Sequence, residues 1–342
     1  MLTDTLQTLC ALSGVSSWED EVRDYFRAQA DPYADRIRTD AMGCLIVEKR
    51  GARRGAKRLM LAAHMDEVGL IVRSIGDDGY LRFGTVGGID RRVLVGKRVL
   101  VGPQKVPGII GLKAYHLLDR GEEERVPKLR DLTIDIGARD AAQARAVVAP
   151  GDVAVFDSDC VLFGNGLLKA KAIDDRVGCA VMLELLREEL PMDCTFAFTV
   201  QEEVGTRGAF GAAFSVVPDI ALVLEGTTAA DLPGTPAHQR VCAPGKGPVV
   251  PYMDGGTVYD RGLFELLRDL AEGHGIPWQT KEYISGGTDA AAIQRSREGV
   301  RVAAISAAVR YLHAPASVAS LADCDHMLDL ARLFIQAVAG ME

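Results

Sequence analysis

The chain has 342 residues, 48% hydrophobic and 25% charged, a composition suited to one large globular domain or two of ordinary size. Its 47 acidic and 39 basic residues give a formal charge of −8, so no basic surface marks it for nucleic acid, and the acidity itself says little about substrate. No uncharged run approaches the ~20 residues of a membrane span, and no basic segment followed by an apolar one opens the chain, so a cytoplasmic protein with no membrane partner is expected.

Taken in order, apolar positions at Leu2, Leu6, Leu9 and Leu12 have helical spacing over residues 2–13. A second helix is expected from Trp18 through Phe26, with Ser16 or Ser17 as its cap. Cys44–Glu48 and Leu59–Ala63 are short apolar runs that read as strands, joined by the basic stretch 49–57 as a solvated hairpin loop. From about residue 70 to 160, runs such as Leu70–Ile75, Val99–Val101, Gly108–Leu112 and Leu132–Gly137 alternate with turn signals such as Asp78-Gly79 and Gly87-Gly88. A small β-rich unit is expected there. Beyond Gly164 strands and helices alternate: a helix over 174–190, then the unbroken apolar runs Thr195–Val200, Ile220–Leu224 and Val302–Ser306. Such runs suit central strands covered on both faces. The expected fold is an α/β sandwich with a mostly parallel sheet, its residues 1–68 and 162–342 separated by a β-rich insertion at 69–161. Seven scattered cysteines, with no Cys-x-x-Cys pair, read as reduced core thiols.

A trail of ligand-type residues crosses this pattern. It begins with His64 and Asp66 in Ala-Ala-His-Met-Asp-Glu-Val-Gly, directly after a strand, and continues with Asp174 and Asp175 at a helix start. Glu202 and Glu203 follow the next strand, Glu225 ends another, and His313 lies a short loop beyond the last. In an open α/β sheet, ligands bind beyond the carboxyl ends of the strands, where all these segments could converge. Imidazoles and carboxylates are the donors two neighbouring divalent cations need, which makes a two-metal hydrolase the leading reading. Each residue also has a plain structural role available: Asp174 could cap its helix, Glu202 and Glu203 could face solvent, and Glu225 could cap a turn. Those explanations weaken together, because charges ending buried strands are costly unless paired or metal-bound.

These motifs, with Ser-Gly-Gly-Thr-Asp-Ala at 285–290 and Arg-Tyr-Leu-His at 310–313, resemble over essentially the whole chain the M42 metallo-aminopeptidases, the family of the tetrahedral and glutamyl aminopeptidases. The resemblance implies two divalent cations per subunit, usually zinc or cobalt, acting on short peptides; the N and O donors themselves also suit manganese. His64, Asp174 and Glu225 would hold one cation and Asp174, Glu203 and His313 the other, with Asp174 bridging. Glu202 would be the general base and Asp66 would orient His64, while Asp175 would not ligate. The insertion resembles a dimerisation domain, implying a homo-oligomer built from dimers, up to a dodecamer.

One departure stands out: many members carry Asp where this chain has Glu225. That keeps a related dinuclear amidohydrolase, a carboxypeptidase or deacylase, in view beside the aminopeptidase. A catalytically silent peptide-binding shell is the rival from another class. Acidic substrates would need a cation in the specificity pocket, for which Arg207, Lys246 and Arg92 are candidates. Ser285–Ile293 reads as a glycine turn into a helix capped by Thr288 or Asp289.

Overall fold

The computed structural model describes residues 2–121 and 124–342. Helices α1 (Leu2–Ala11) and α2 (Asp20–Ala30) lead into strands β1 (Arg36–Thr39), β2 (Leu45–Lys49) and β3 (Leu59–His64). Six strands follow: β4 (Gly69–Ile75), β5 (Leu81–Val86), β6 (Arg98–Val101), β7 (Val106–Gly111), β8 (Thr133–Asp135) and, after helix α3 (Ala141–Arg145), β9 (Val153–Phe156). The chain then returns through β10 (Val161–Phe163), β11 (Leu167–Ala170), α4 (Ile173–Arg187), β12 (Cys194–Thr199), α5 (Arg207–Val216) and β13 (Ile220–Thr228). It ends with α6 (Arg261–Gly273), α7 (Ala290–Gln294), β14 (Arg301–Arg310), β15 (Ser317–Ser320) and α8 (Leu321–Ala339).

Two sheets result. One has nine strands in the order β1-β2-β12-β3-β13-β14-β15-β11-β10, and the other is a closed barrel, β4-β5-β8-β7-β6-β9. The large sheet is mixed. Only β12, β3, β13 and β14 pair in parallel, and the strands on either side run antiparallel. Parallel neighbours need a long crossover, here supplied by helices such as α5 between β12 and β13, whereas β1–β2 and β10–β11 are joined by short turns and must reverse. The expected mostly parallel sheet is therefore confined to its centre.

Every residue of β3 is buried, and β13 is buried from Ile220 to Gly226 and beyond, as strands covered on both faces must be. Helix α4 packs on β3, β13 and β14, and α5 on β12. Gly178 lets α4 sit that close: a Cβ there would lie 2.6 Å from the Leu224 carbonyl oxygen. Phe26 of α2 stacks on Phe198 of β12 with ring centroids 4.5 Å apart, tying the first helical layer to the strand that ends at the site.

Two local expectations differ. The run 49–57 does not close a hairpin, because β12 lies between β2 and β3. The segment instead crosses the start of β12, where Ala52 N donates to Leu190 O and Asp193 N to Arg53 O. Neither Ser16 nor Ser17 caps α2, which begins after Glu19 without a side-chain cap. The Ser16 hydroxyl donates to buried Asp66 at 2.6 Å instead. All seven cysteines are free, and burial pushes the thiols up, Cys10 and Cys194 to about 12.

Candidate metal centre

The parallel register aligns the carboxyl ends of the central strands. Thr199, the last residue of β12, pairs with His64, the last residue of β3, and Glu225 of β13 pairs with Ser306 of β14. Glu225 lies inside β13 rather than at its end, because pairing with β14 continues through Thr228. The next residue, Gly226, is needed for the approach of α4: a Cβ there would lie 2.8 Å from Asp174 Oδ1. Asp174 itself is not helical (φ −82°, ψ 113°), and it follows Ala172 at φ 54°, so the backbone delivers it towards the strand ends before α4 settles. The Asp174–Asp175 peptide is cis.

His64 Nε2 lies 3.5 Å from Asp174 Oδ1 and 3.5 Å from Glu225 Oε1. His313 Nε2 lies 3.5 Å from Asp174 Oδ2 and 3.0 Å from Glu203 Oε2. Asp174 thus presents one oxygen to each imidazole. Each ring is held from behind through Nδ1, by the Asp66 carbonyl at 3.1 Å for His64 and by the Gly88 carbonyl at 3.0 Å for His313. An Nδ1–H donated to a carbonyl leaves Nε2 as the coordinating nitrogen.

Asp66, fully buried, does more than face His64. Its carboxylate accepts from Ser16 Oγ, from Glu202 N at 3.0 Å and from Glu203 N at 3.1 Å, so it fixes the backbone carrying both glutamates. That backbone leaves β12 through Gln201 at φ 57° and Gly205 at φ 116°, which breaks strand alternation and lets neighbours share one site. The Asp175 carboxylate accepts from the backbone N–H groups of His64 at 3.2 Å and Gly178 at 2.9 Å, locking β3 to α4. Beneath it Glu67 is held by Lys171 at 2.7 Å and by the Gly14 amide, with Arg176 at 3.5 Å.

Burial pushes Glu202 and Glu225 well above the usual carboxylate range and raises Glu203 as well. Burial opposes ionisation of Asp174 too, but His313 and His64 hold it low. The imidazoles respond in the opposite sense. Burial works against protonated His313, yet Asp174 and Glu203 lift it to about 11, and Asp174 and Asp66 overcome burial to raise His64. The cluster thus draws in positive charge. Three of its buried polar atoms have no hydrogen-bond partner: His64 Nε2, Asp174 Oδ1 and Glu225 Oε2. Donor atoms of His64, Glu202 and Glu225 lie within 4.8 Å of one another, as do those of His64, Asp174 and Glu203. An imidazole-and-carboxylate set with bare lone pairs converging fits divalent cations.

The seven residues expected to ligate metal or act in catalysis, His64, Asp66, Asp174, Glu202, Glu203, Glu225 and His313, are brought together. Sequence reading missed Gly88, Ser16 and the buried ion cluster of Glu67, Lys171 and Arg176. It also missed Asp289, whose carboxylate accepts from Thr199 Oγ1 at 2.5 Å while its other oxygen has no partner, and which burial raises to about 6. The capping reading of that segment holds for Thr288, whose hydroxyl accepts from Ala290 N at 3.2 Å.

The sequence profile of the family described as M42 glutamyl aminopeptidase matches residues 43–330. The chain belongs to the M42 peptidase family. A putative aminopeptidase of Acetivibrio thermocellus is 36% identical over 98% of both chains. The glutamyl aminopeptidase of Lactococcus lactis is 32% identical over 94% of this chain and 92% of its own, and the lysyl aminopeptidase of Pyrococcus furiosus 29% over 96% and 95%. Among solved structures, the Pyrococcus horikoshii TET1 peptidase, said to assemble into a tetrahedron or a large octahedral shell, superposes with a TM-score of 0.87 at 34% identity, over 97% of this chain and 98% of that one. This M42 chain is accordingly a peptidase of the aminopeptidase type, in a family that depends on metal.

Proposed function

We propose that the protein is a dinuclear metal-dependent aminopeptidase that removes N-terminal residues from short peptides. The observation that carries this reading is the set of partnerless buried donors on His64, Asp174 and Glu225, opposite His313 and Glu203. His64, Asp174 and Glu225 would hold one cation, and Asp174, Glu203 and His313 the other, with zinc or cobalt, or manganese, suited to such N and O donors. Bound cations would supply acidification of a water, polarisation of the scissile carbonyl and an anchor for the substrate amine.

The chain's own groups handle the proton. Glu202 has its backbone fixed by Asp66 and, raised by burial, is a carboxylate with high proton affinity. It would accept a proton from the attacking water and return it to the leaving amine. Asp66 orients His64 and both glutamates. The barrel, inserted between β3 and β10, would mediate association with further copies, as the named assembly of the TET1 relative suggests.

Elemental analysis of purified protein, with turnover of a panel of aminoacyl-anilides in added zinc, cobalt or manganese, tests the reading. Two divalent ions per chain and release from free N-termini are expected, with both ions lost in Asp174→Ala. Cleavage confined to N-acylated amino acids would instead make it a deacylase. Absence of both metal and turnover would leave a silent shell. Light scattering should find a species larger than a monomer, and a monomer at working concentration would overturn the assembly role.

A further inference from the structure

Glu19 carries a buried carboxyl outside the centre. It is 4% exposed and no described cation pairs with it, an arrangement that is costly unless hydrogen bonds answer the carboxyl. Its Oε1 accepts from Ser17 N at 2.8 Å and from Gln201 N at 3.2 Å. The first bond is local to the start of α2. The second joins residues 182 positions apart and ends on Gln201, whose left-handed backbone (φ 57°) takes the chain out of β12.

Three consecutive amides of that turn end on buried carboxylates. Gln201 N donates to Glu19, Glu202 N to Asp66 Oδ1 at 3.0 Å and Glu203 N to Asp66 Oδ2 at 3.1 Å. The carbonyls are taken from the other side as α5 begins: Glu202 O accepts from Gly205 N and Thr206 N, both at 2.9 Å, and Gln201 O from Arg207 N at 3.2 Å. The segment that carries Glu19 is itself tied to the loop after β3. There Glu67 N donates to Gly14 O at 2.8 Å, Ser16 N to Glu67 O at 3.3 Å, and Ser16 Oγ to Asp66 at 2.6 Å. Glu19 thus reaches Gln201 from the same platform that holds Asp66. A residue other than glycine keeps a positive φ only where its surroundings over-determine it. At Gln201 that conformation is what lets Glu202 and Glu203 share one site. Burial lifts the Glu19 carboxyl to about 7, with Asp66 adding to the rise, so an uncharged acceptor of the same shape should hold the amide as well.

We propose that Glu19 is a positioning residue of the reaction: with Asp66 it completes a cradle under the amides of residues 201–203, and so keeps Glu203 on its cation and Glu202 towards the water. This rests on the dinuclear reading. A residue that only starts α2 would serve the Ser17 amide and leave the two cations equally bound.

The test titrates stripped protein with zinc, cation by cation, and follows aminoacyl-anilide turnover at saturating zinc. Glu19→Met keeps the length and removes the acceptor. It should weaken the more loosely held of the two cations, that of Glu203 and His313, by about 10–100-fold, while the cation of His64 and Glu225 changes by less than about threefold. At saturating zinc kcat should fall by about tenfold with KM little changed. Glu19→Gln, whose single carbonyl oxygen can accept both amides, should stay within about threefold of wild type throughout. Glu19→Asp keeps the charge but draws the oxygen back from Gln201, and should follow Glu19→Met. A folded Glu19→Met that binds both cations as wild type does, or loosens both equally, overturns the assignment. So does a Glu19→Gln that loses the second cation, which decides the matter even if Glu19→Met fails to fold. A wild type that takes up fewer than two ions removes the dinuclear reading itself, and the role of Glu19 with it.

Discussion

The sheet and the barrel are built from similar residues but solve different problems. Strand β3 is buried along its whole length, whereas β5 begins buried-exposed-buried and β7 has exposed Pro107 and Ile109, with only Ile110 buried. The sheet's core runs through every central strand and the helices on them, while the barrel's is a separate small cluster around Leu81, Phe83, Ile110 and Ile134. The sheet and the loops at its strand ends carry every donor of the centre. The barrel contributes a backbone carbonyl, that of Gly88 behind His313. Chemistry is therefore anchored where backbone positions are overdetermined by burial, and the barrel meets it through the turn at Gly87 and Gly88 and through Phe156, which lines the space shared with Asp174, Glu203 and His313.

The sharpest test of that division lies at the end of β12, where adjacent residues have different jobs. Glu202→Gln keeps the shape and removes the proton acceptor, so metal content should survive while kcat falls by roughly 10²–10⁴-fold. Glu203→Gln should weaken metal binding first, with activity partly restored by excess metal. If Glu202→Gln loses its metal and Glu203→Gln loses only kcat, the roles are reversed.

The second test compares the two cores. Phe198 stacks on Phe26 and is wholly buried, so Phe198→Ala should cost about 3–5 kcal/mol and lower metal occupancy, because β12 carries the glutamates. Leu81→Ala in the barrel should cost about 2–5 kcal/mol, with less effect on metal content. Denaturant unfolding followed with metal analysis separates the two, and equal loss of metal in both would show that barrel and sheet act as one cooperative unit.

The same contrast explains how much of the molecule is legible in its sequence. Polar residues that close unbroken apolar runs announce themselves, so the convergence of His64, Glu202 and Glu225 follows from the linear pattern and the rule that ligands bind at strand ends. Strand order does not follow from it. Nothing in the run 49–57 reveals that β12 inserts between β2 and β3, because that pairing forms with residues about 150 positions away. The expectation of parallel pairing reaches too far for a related reason, since edge strands carry no mark of direction beyond the length of their connections. Asp289 is invisible as a site group because its significance lies in an oxygen without a partner, a property of packing alone.

The smallest expected effect falls at the point of contact between the regions. Gly87 adopts φ +82°, and a Cβ there would lie 2.7 Å from Val68 Cγ1 and 3.4 Å from Glu203 Cβ. Gly87→Ala must therefore accept a left-handed backbone, at about 1–2 kcal/mol, and displace Val68, in the loop that leads from β3. If the barrel only props the centre, stability should fall by that amount while metal affinity drops by less than about tenfold, since the imidazole of His313 can follow the Gly88 carbonyl over small distances. A larger loss of metal, measured by titration of the stripped protein, would mean that the turn at Gly87 and Gly88 sets the position of His313 and Glu203. The barrel would then be part of the metal centre, and the contrast with the sheet would have to be redrawn at that turn.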